Sequence, residues 1–258
     1  MKRILVLITA MVLTLATYAD VLAEYSFDGT LGDNIPFSVK FCVNGDEIAV
    51  GEIYYPKAKH PAPILLVGSM TETGYYMREY QSDGTVTGTL IFSIDDDEDG
   101  KEPHLTSGVW INPRTQKEFK LKNVNFNDEY IDVPYFLDYE DPQNIGREYS
   151  YSVWNSSYKA MMGGNVKFRG AGKNKLHFEV SNCAHNIAEG KSSPSRPAVL
   201  GETTHDYFIY NNVNECGYGF SAYFFKKFVV LKTVSGPETL GCFGMGATFD
   251  GVYIKVKQ

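Results

Sequence analysis

From Phe27 onward, apolar and polar positions alternate in short runs, and glycine, proline, asparagine or aspartate stands between one run and the next. Successive side chains of an extended chain point to opposite faces, so each run predicts a strand with one buried face. IPFSVKFCVNGDEIAVGEIYYP reads as a hairpin: Phe37, Val39 and Phe41 share a face, Asn44-Gly45 is the turn, and Ile48, Val50 and the Tyr54-Tyr55 pair follow. KAKHPAP, Lys57 to Pro63, is a proline-marked loop. ILLVGSM and YYMREYQ are the next strands, followed by a turn at Ser82-Asp83-Gly84. TVTGTLIFSI, HLTSGVWIN and KEFKLKNV complete the first half near Val124, with Asn112-Pro113-Arg114-Thr115 turning between the last two. Strands at this spacing predict an all-β protein: an antiparallel meander forming a small barrel or a sandwich.

The pattern loosens between residues 125 and 163. This stretch predicts an irregular bridge, with REYSYSVWNSSYKAMM as a short helix or an irregular segment. Strands then return. NVKFRG and KLHFEVSN make a hairpin around Ala171-Gly172-Lys173-Asn174. AEGKSSPSRPAVLGETT reads as a polar loop, and DYFIYNN, YGFSAYFFKKFVVLKTV and ATFDGVYIKVK follow. The expected organisation is an N-terminal β domain over 24–124, the bridge over 125–163 and a C-terminal β domain over 164–258, as one domain or two β subdomains.

The chain start departs from this alternation. A basic Met1-Lys2-Arg3 precedes an apolar run from Ile4 to about Ala16, and small residues then offer cleavage after Ala19 or after Ala23. This is the pattern of a secretory signal peptide, here expected over 1–23. The run is shorter than the ~20 apolar residues of a spanning helix. The expectation is an exported protein, periplasmic or secreted, with no transmembrane anchor after cleavage. The chain carries 24 Lys and Arg against 31 Asp and Glu, a net charge of −7. Loss of Lys2, Arg3 and Asp20 with the leader leaves 22 against 30, or −8. That sign disfavours nucleic acid and anionic lipid as partners.

Export into an oxidising space makes cysteine pairing plausible. Cys216 and Cys242 lie near the two ends of one strand-rich segment and are the expected disulfide, worth roughly 3 kcal/mol by loop entropy. Cys42 and Cys183 either pair across the two halves or remain buried thiols.

Candidate chemistry is sparse. SIDDDEDGKEP, Ser93 to Pro103, contains D-x-D-x-D-G, the start of a calcium loop. Counted from Asp95, loop position 12 is Thr106 rather than a bidentate acid, and the flanks read as strands, so the helix-loop-helix form is excluded. What remains is a weak calcium candidate through Asp95, Asp97 and Asp99, with a solvated hairpin tip as the plainer reading. No other cofactor is expected. His177, Cys183 and His185 have poor zinc spacing. G-x-S-x-G, S-x-x-K and H-E-x-x-H are absent from the sequence. Glu79, Asp83, Asp138, Glu140 and Asp141 could supply a carboxylate pair for glycan hydrolysis, but the sequence selects none. Tyr54, Tyr55, Tyr75, Tyr76, Tyr80 and Trp110 fall on neighbouring strands. One of each Tyr-Tyr pair faces out, which makes Tyr55, Tyr76 and Trp110 the candidate binding residues of an aromatic sheet face.

The segments FDGTLGDNIPFSV, GEIYY, ILLVG, EYQSDGTVTGTL and SGVW, with the closing CFGMGATFDGVYIKV, resemble a pattern of exported, β-rich, uncharacterised proteins of Gram-negative bacteria. The resemblance implies a β-rich exported domain and nothing catalytic. Ser107-Gly108-Val109-Trp110 is only superficially similar to the S-G-x-x-Y-type loop of periplasmic lysozyme inhibitors.

The expected function is an exported binding protein of the cell envelope or extracellular space. It would contact a protein or glycan through that aromatic face, a class that includes inhibitor and immunity-type proteins. The alternative is an envelope polysaccharide or peptidoglycan hydrolase using paired carboxylates. The lack of a nucleophile or metal motif leans away from an enzyme.

Overall fold

The computed structural model describes residues 21–95, 103–140, 146–173, 175–183, 188–192, 198–200, 207–212, 218–233 and 248–256. The first half is a closed antiparallel barrel of eight strands in sequence order: β1 (Val21–Leu31), β2 (Ile35–Asn44), β3 (Ile48–Tyr54), β4 (Ile64–Thr71), β5 (Gly74–Tyr80), β6 (Val86–Asp95), β7 (His104–Ile111) and β8 (Glu118–Phe126). β1 closes it by pairing with β8, Phe27 opposite Phe126 and Leu31 opposite Leu121. Of the two forms the alternation permits, the barrel is therefore the one adopted, and closure leaves no edge strand to protect.

The barrel interior is filled by aromatic rings. Tyr25, Phe27, Phe41, Tyr75 and Phe92 are buried and in mutual contact, with Tyr75 stacked on Phe92 at 5.1 Å between centroids. β2 supplies Phe37, Val39, Phe41 and Val43 to this interior, while Cys42, between two of them, points outward and is also buried. A strand covered on both faces needs a second layer outside the barrel, and the second half of the chain provides it.

That half is a nine-stranded sheet made of β9 (Gly146–Asn155), β10 (Ala160–Gly170), β11 (Lys175–Asn182), β12 (Ala188–Lys191), β13 (Ala198–Leu200), β14 (Tyr207–Asn212), β15 (Tyr218–Phe224), β16 (Phe228–Thr233) and β17 (Gly251–Lys255). Its order is β10-β9-β17-β16-β15-β14-β13-β11-β12, and β10 also pairs with β11, so the sheet curls back on itself. Its core of Tyr149, Phe168, Phe178, Phe220, Phe224 and Tyr253 is continuous with the outer face of the first barrel, where Cys42, Ile48, Val50, Val67, Tyr80 and Val86 are buried.

Three features differ from the alternation-based reading. Residues 146–163 are not helix or irregular bridge: REYSYSVWN is part of β9, and β10 begins at Ala160. YGFSAYFFKKFVVLKTV is two strands that turn at Phe225–Lys227. AEGKSSPSRPAVLGETT, read as loop, contributes β12 and β13. In the first case the strand signal is present in the chain, where Tyr149, Tyr151 and Val153 alternate with Ser150 and Ser152.

What remains of the bridge is short. It holds a single helical turn, α1 (Val133–Phe136), capped by Asp132, whose Oδ1 accepts from Tyr135 N at 3.2 Å. Ile131, Phe136 and Leu137 are buried at the junction of the two halves, and Tyr139 stacks on Phe225 at 4.7 Å. Polar contacts add to the junction. Ser152 N donates to Gly84 O at 3.0 Å, Asn44 Nδ2 donates to the Tyr139 hydroxyl at 3.0 Å, and Lys232 Nζ donates to the Asp46 carbonyl. Among the described residues, Cys42 and Cys183 are free thiols and not a pair. Burial pushes the Cys42 thiol up to about 12, with the Glu24 charge adding to it, so it stays un-ionised at neutral pH. Cys216 and Cys242 lie outside the described residues.

Candidate binding site

β5 carries Tyr75, Met77 and Glu79 on the face that points into the first barrel. Two apolar residues and then an acid on one buried face put a carboxylate where water is excluded, and Glu79 is 2% exposed. An isolated buried carboxylate is strongly disfavoured unless donors surround it. Three do. Trp110 Nε1 donates to Oε1 at 2.7 Å, the Tyr55 hydroxyl donates to the same oxygen, and the Thr87 hydroxyl donates to Oε2 at 3.1 Å. Thr87 reaches inward because the β5–β6 register shifts there: Glu79 pairs with Gly88 and Tyr80 with Val86, leaving Thr87 as a bulge residue.

Gly88 makes room for the group. A Cβ on it would sit 2.3 Å from Trp110 Nε1 and 2.6 Å from Glu79 Oε2. Burial raises the Glu79 carboxyl above its usual value, against the lowering effect of hydrogen bonds from Tyr55, Trp110 and Thr87. Burial, with the nearby carboxylate, drives the Tyr55 phenol far above its ordinary range, so it remains a donor.

Tyr55 also belongs to a second feature. A cleft of about 1020 Å³ opens between the two halves. One wall is the loop from Tyr55 to Leu65 with Tyr80, Gln81 and Ser82; the other comes from Arg147, the Lys226-Lys227 turn and Ile254–Val256. A smaller hollow of about 120 Å³ shares Pro63, Leu65, Lys226 and Lys227 and adds Glu52, Tyr135 and Asp138. Four cations, Arg147, Lys226, Lys227 and Lys255, thus line the cleft of an acidic protein. Lys255 Nζ donates to Glu140 Oε2 at 2.6 Å and to the Lys226 carbonyl at 2.9 Å. Arg147 Nε lies 3.7 Å from Glu140 Oε1, and Lys226 Nζ lies 2.8 Å from Asp138 Oδ1. Lys227 Nζ sits over the Tyr135 ring, 3.7 Å from its centroid.

The three aromatic residues singled out from the sequence do not share one face. Tyr55 and Trp110 converge on Glu79. Tyr76 lies on the opposite face of β5, where Arg78 Nε donates to its hydroxyl at 3.0 Å and the guanidinium lies over its ring. Asp95 ends β6 opposite His104, at 3.9 Å from its Nε2, in the hairpin expected there. Asp97 and Asp99 lie outside the described residues, as do Asp141 and His185. His177 Nδ1 lies 3.0 Å from the Ser192 hydroxyl. Of the other carboxylates considered for hydrolysis, Asp83 accepts from Thr85 N at 2.8 Å, while Asp138 and Glu140 hold the cleft cations.

The sequence had one usable signal for Glu79: an acid in register with Tyr75 and Met77 on an apolar face. It had none for the cations, which come from β9, the β15–β16 turn and β17.

Compared with protein-family models, with curated proteins and with solved structures, the chain matches none.

Proposed function

We propose that this is an exported protein that binds a component of the cell envelope, a glycan or a protein, in the cleft between its two β units. The observation that carries the reading is the cleft itself. At about 1020 Å³ it is at the upper end of the roughly 300–1,000 Å³ of ordinary ligand sites. It combines an apolar lip (Ala62, Pro63, Ile64) with polar and charged groups, and Tyr55 is fixed at its edge by a buried carboxylate. A ring that is already immobilised loses little entropy when a ligand packs on it. The aromatic contribution of the expected binding face is thus carried by Tyr55, with the cleft in place of an open sheet.

The test is co-sedimentation of the mature protein with isolated envelope glycan and envelope protein fractions, using wild type and Ala62→Trp. Ala62 is exposed on the lip, so the indole narrows the cleft at its mouth without entering the core. Retention by wild type, reduced at least about tenfold (~1.4 kcal/mol) in Ala62→Trp, is the expected result. Equal retention would remove the cleft from the reading.

Export carries its own prediction. β1 begins at Val21, Val21 pairs with Asn44 and Ala23 with Val43. Cleavage after Ala23 would remove three residues of this strand, whereas cleavage after Ala19 spares it. In place of the 1–23 leader expected from the sequence, the exported protein is therefore expected to start at Asp20, as read by intact mass; a start at Glu24 would contradict this.

A further inference from the structure

Resting on that reading, we propose that the occupant of the cleft is an anionic sugar chain, a carboxylate-bearing oligosaccharide of several residues. Three observations converge on this chemistry. The first is charge placement. The protein carries −7 overall, yet Arg147, Lys226, Lys227 and Lys255 all line one wall of the cleft, and no carboxylate is among its described lining residues. The nearby acids, Asp138 and Glu140, sit on these cations and compensate two of the four charges. Glu52 lines only the smaller hollow alongside.

The second is preorganisation. Glu140 holds Lys255 at 2.6 Å and lies 3.7 Å from Arg147, and the Lys226 carbonyl takes a second Lys255 proton at 2.9 Å, so these donors are fixed before a ligand arrives. Lys226 and Lys227 stand exposed on a turn, and the Lys226–Asp138 pair is solvent-screened, so an incoming carboxylate competes with it at little loss.

The third is the opposite lip. Ala62, Pro63 and Ile64 present a low apolar edge without charge. A pyranose ring has an apolar C–H face and, in a uronic acid, a carboxylate on its rim. Laid along the cleft, such a chain sets its rings on the lip and its carboxylates on the basic wall. The volume admits several linked sugars rather than a single one.

The experiment is calorimetric titration of the mature protein with a hexamer of galacturonic acid, a neutral glucose hexamer and a short polyglutamate, at low and high salt. The variants are Lys227→Glu, Lys226→Glu/Lys227→Glu and Ala62→Trp. The expected result is that the galacturonate binds and weakens with salt. The neutral hexamer and polyglutamate should bind at least about tenfold more weakly. Lys227→Glu should lose about tenfold, and the double variant more, with the melting temperature unchanged. A neutral hexamer that binds equally well overturns the charge selection. Polyglutamate that binds as tightly overturns the glycan in favour of an acidic peptide. No galacturonate binding overturns the proposal outright. Each of these can occur while Ala62→Trp still abolishes envelope retention, which separates this failure from failure of the cleft as the binding site.

Discussion

Replacing Glu79 with alanine is expected to destabilise the protein by about 2–4 kcal/mol, a large part of the 5–15 kcal/mol that holds a typical domain. The Trp110 indole N–H and the Tyr55 and Thr87 hydroxyls all point at this carboxylate. Without it they lose their acceptor in a site that excludes water, at ~1–3 kcal/mol each. Relief of the buried acid offsets part of that loss. Glu79→Gln separates charge from hydrogen bonding: the amide oxygen still accepts from Tyr55 and Trp110, and the amide N–H can donate to Thr87, so stability at neutral pH should change by less than about 1 kcal/mol.

The glutamine variant should also show where the proton resides. The folded-state carboxyl is raised above 4.5, so the folded protein keeps a proton that the unfolded chain has lost. That contribution is fully present below about pH 4.5 and fades as pH rises through the raised folded value. Wild type should therefore lose stability relative to Glu79→Gln on going from pH 4 to neutral, measured by urea unfolding at each pH. A pH-independent difference, or an alanine variant as stable as wild type, would show that the carboxylate is not the keystone of this cluster.

The second large effect is expected at Gly68 in β4. A Cβ there would meet the Tyr76 carbonyl oxygen at 1.9 Å and Met77 Cα at 2.6 Å, both backbone atoms of β5, with which Gly68 is paired. No rotamer relieves this; β4 and β5 must separate, and in a closed barrel that displaces the strands beyond them. Gly68→Val is expected to lose more than ~3 kcal/mol, beyond the usual range for overpacking, and to abolish the cooperative transition of the barrel. Gly108→Ala is the control. Its Cβ would meet the side chains of Leu105 and Leu121 at 3.0–3.1 Å, and side chains can yield. If Gly68→Val melts like Gly108→Ala, the close approach of β4 and β5 is not needed for closure.

Most of the first barrel can be read from the chain. Phe37, Val39 and Phe41 alternate inward as their spacing dictates, Asn44 turns the β2–β3 connection with its Oδ1 accepting from Ile48 N at 2.9 Å, and Asn112 does the same for Thr115 at 2.9 Å. These are local effects of period and turn chemistry. The second half is less readable for a physical reason. β9 alternates Tyr149, Tyr151 and Val153 with Ser150 and Ser152, which is a strand signal; what the chain does not show locally is that its hydrogen-bond partners are β10 and the distant β17. Cys42 illustrates the same limit within the first half: its position shows that it faces away from Phe41, but only the second sheet makes that outer face buried.

The sequence by itself determined the all-β class, the antiparallel meander from β2 to β8 and the shared face of Phe37, Val39 and Phe41. Those follow from a two-residue period and from turn residues, which act over a few positions. The tertiary structure decided barrel over sandwich, because closure depends on β1 meeting β8 across nearly the whole unit. It also decided that Tyr55 and Trp110 share one carboxylate while Tyr76 faces the other way, because a barrel wall separates adjacent residues of β5. Finally, it made the cationic cleft. Tyr55, Arg147, Lys226 and Lys255 meet only when the outer face of one β unit is buried against the other, and no local pattern in the chain encodes that contact.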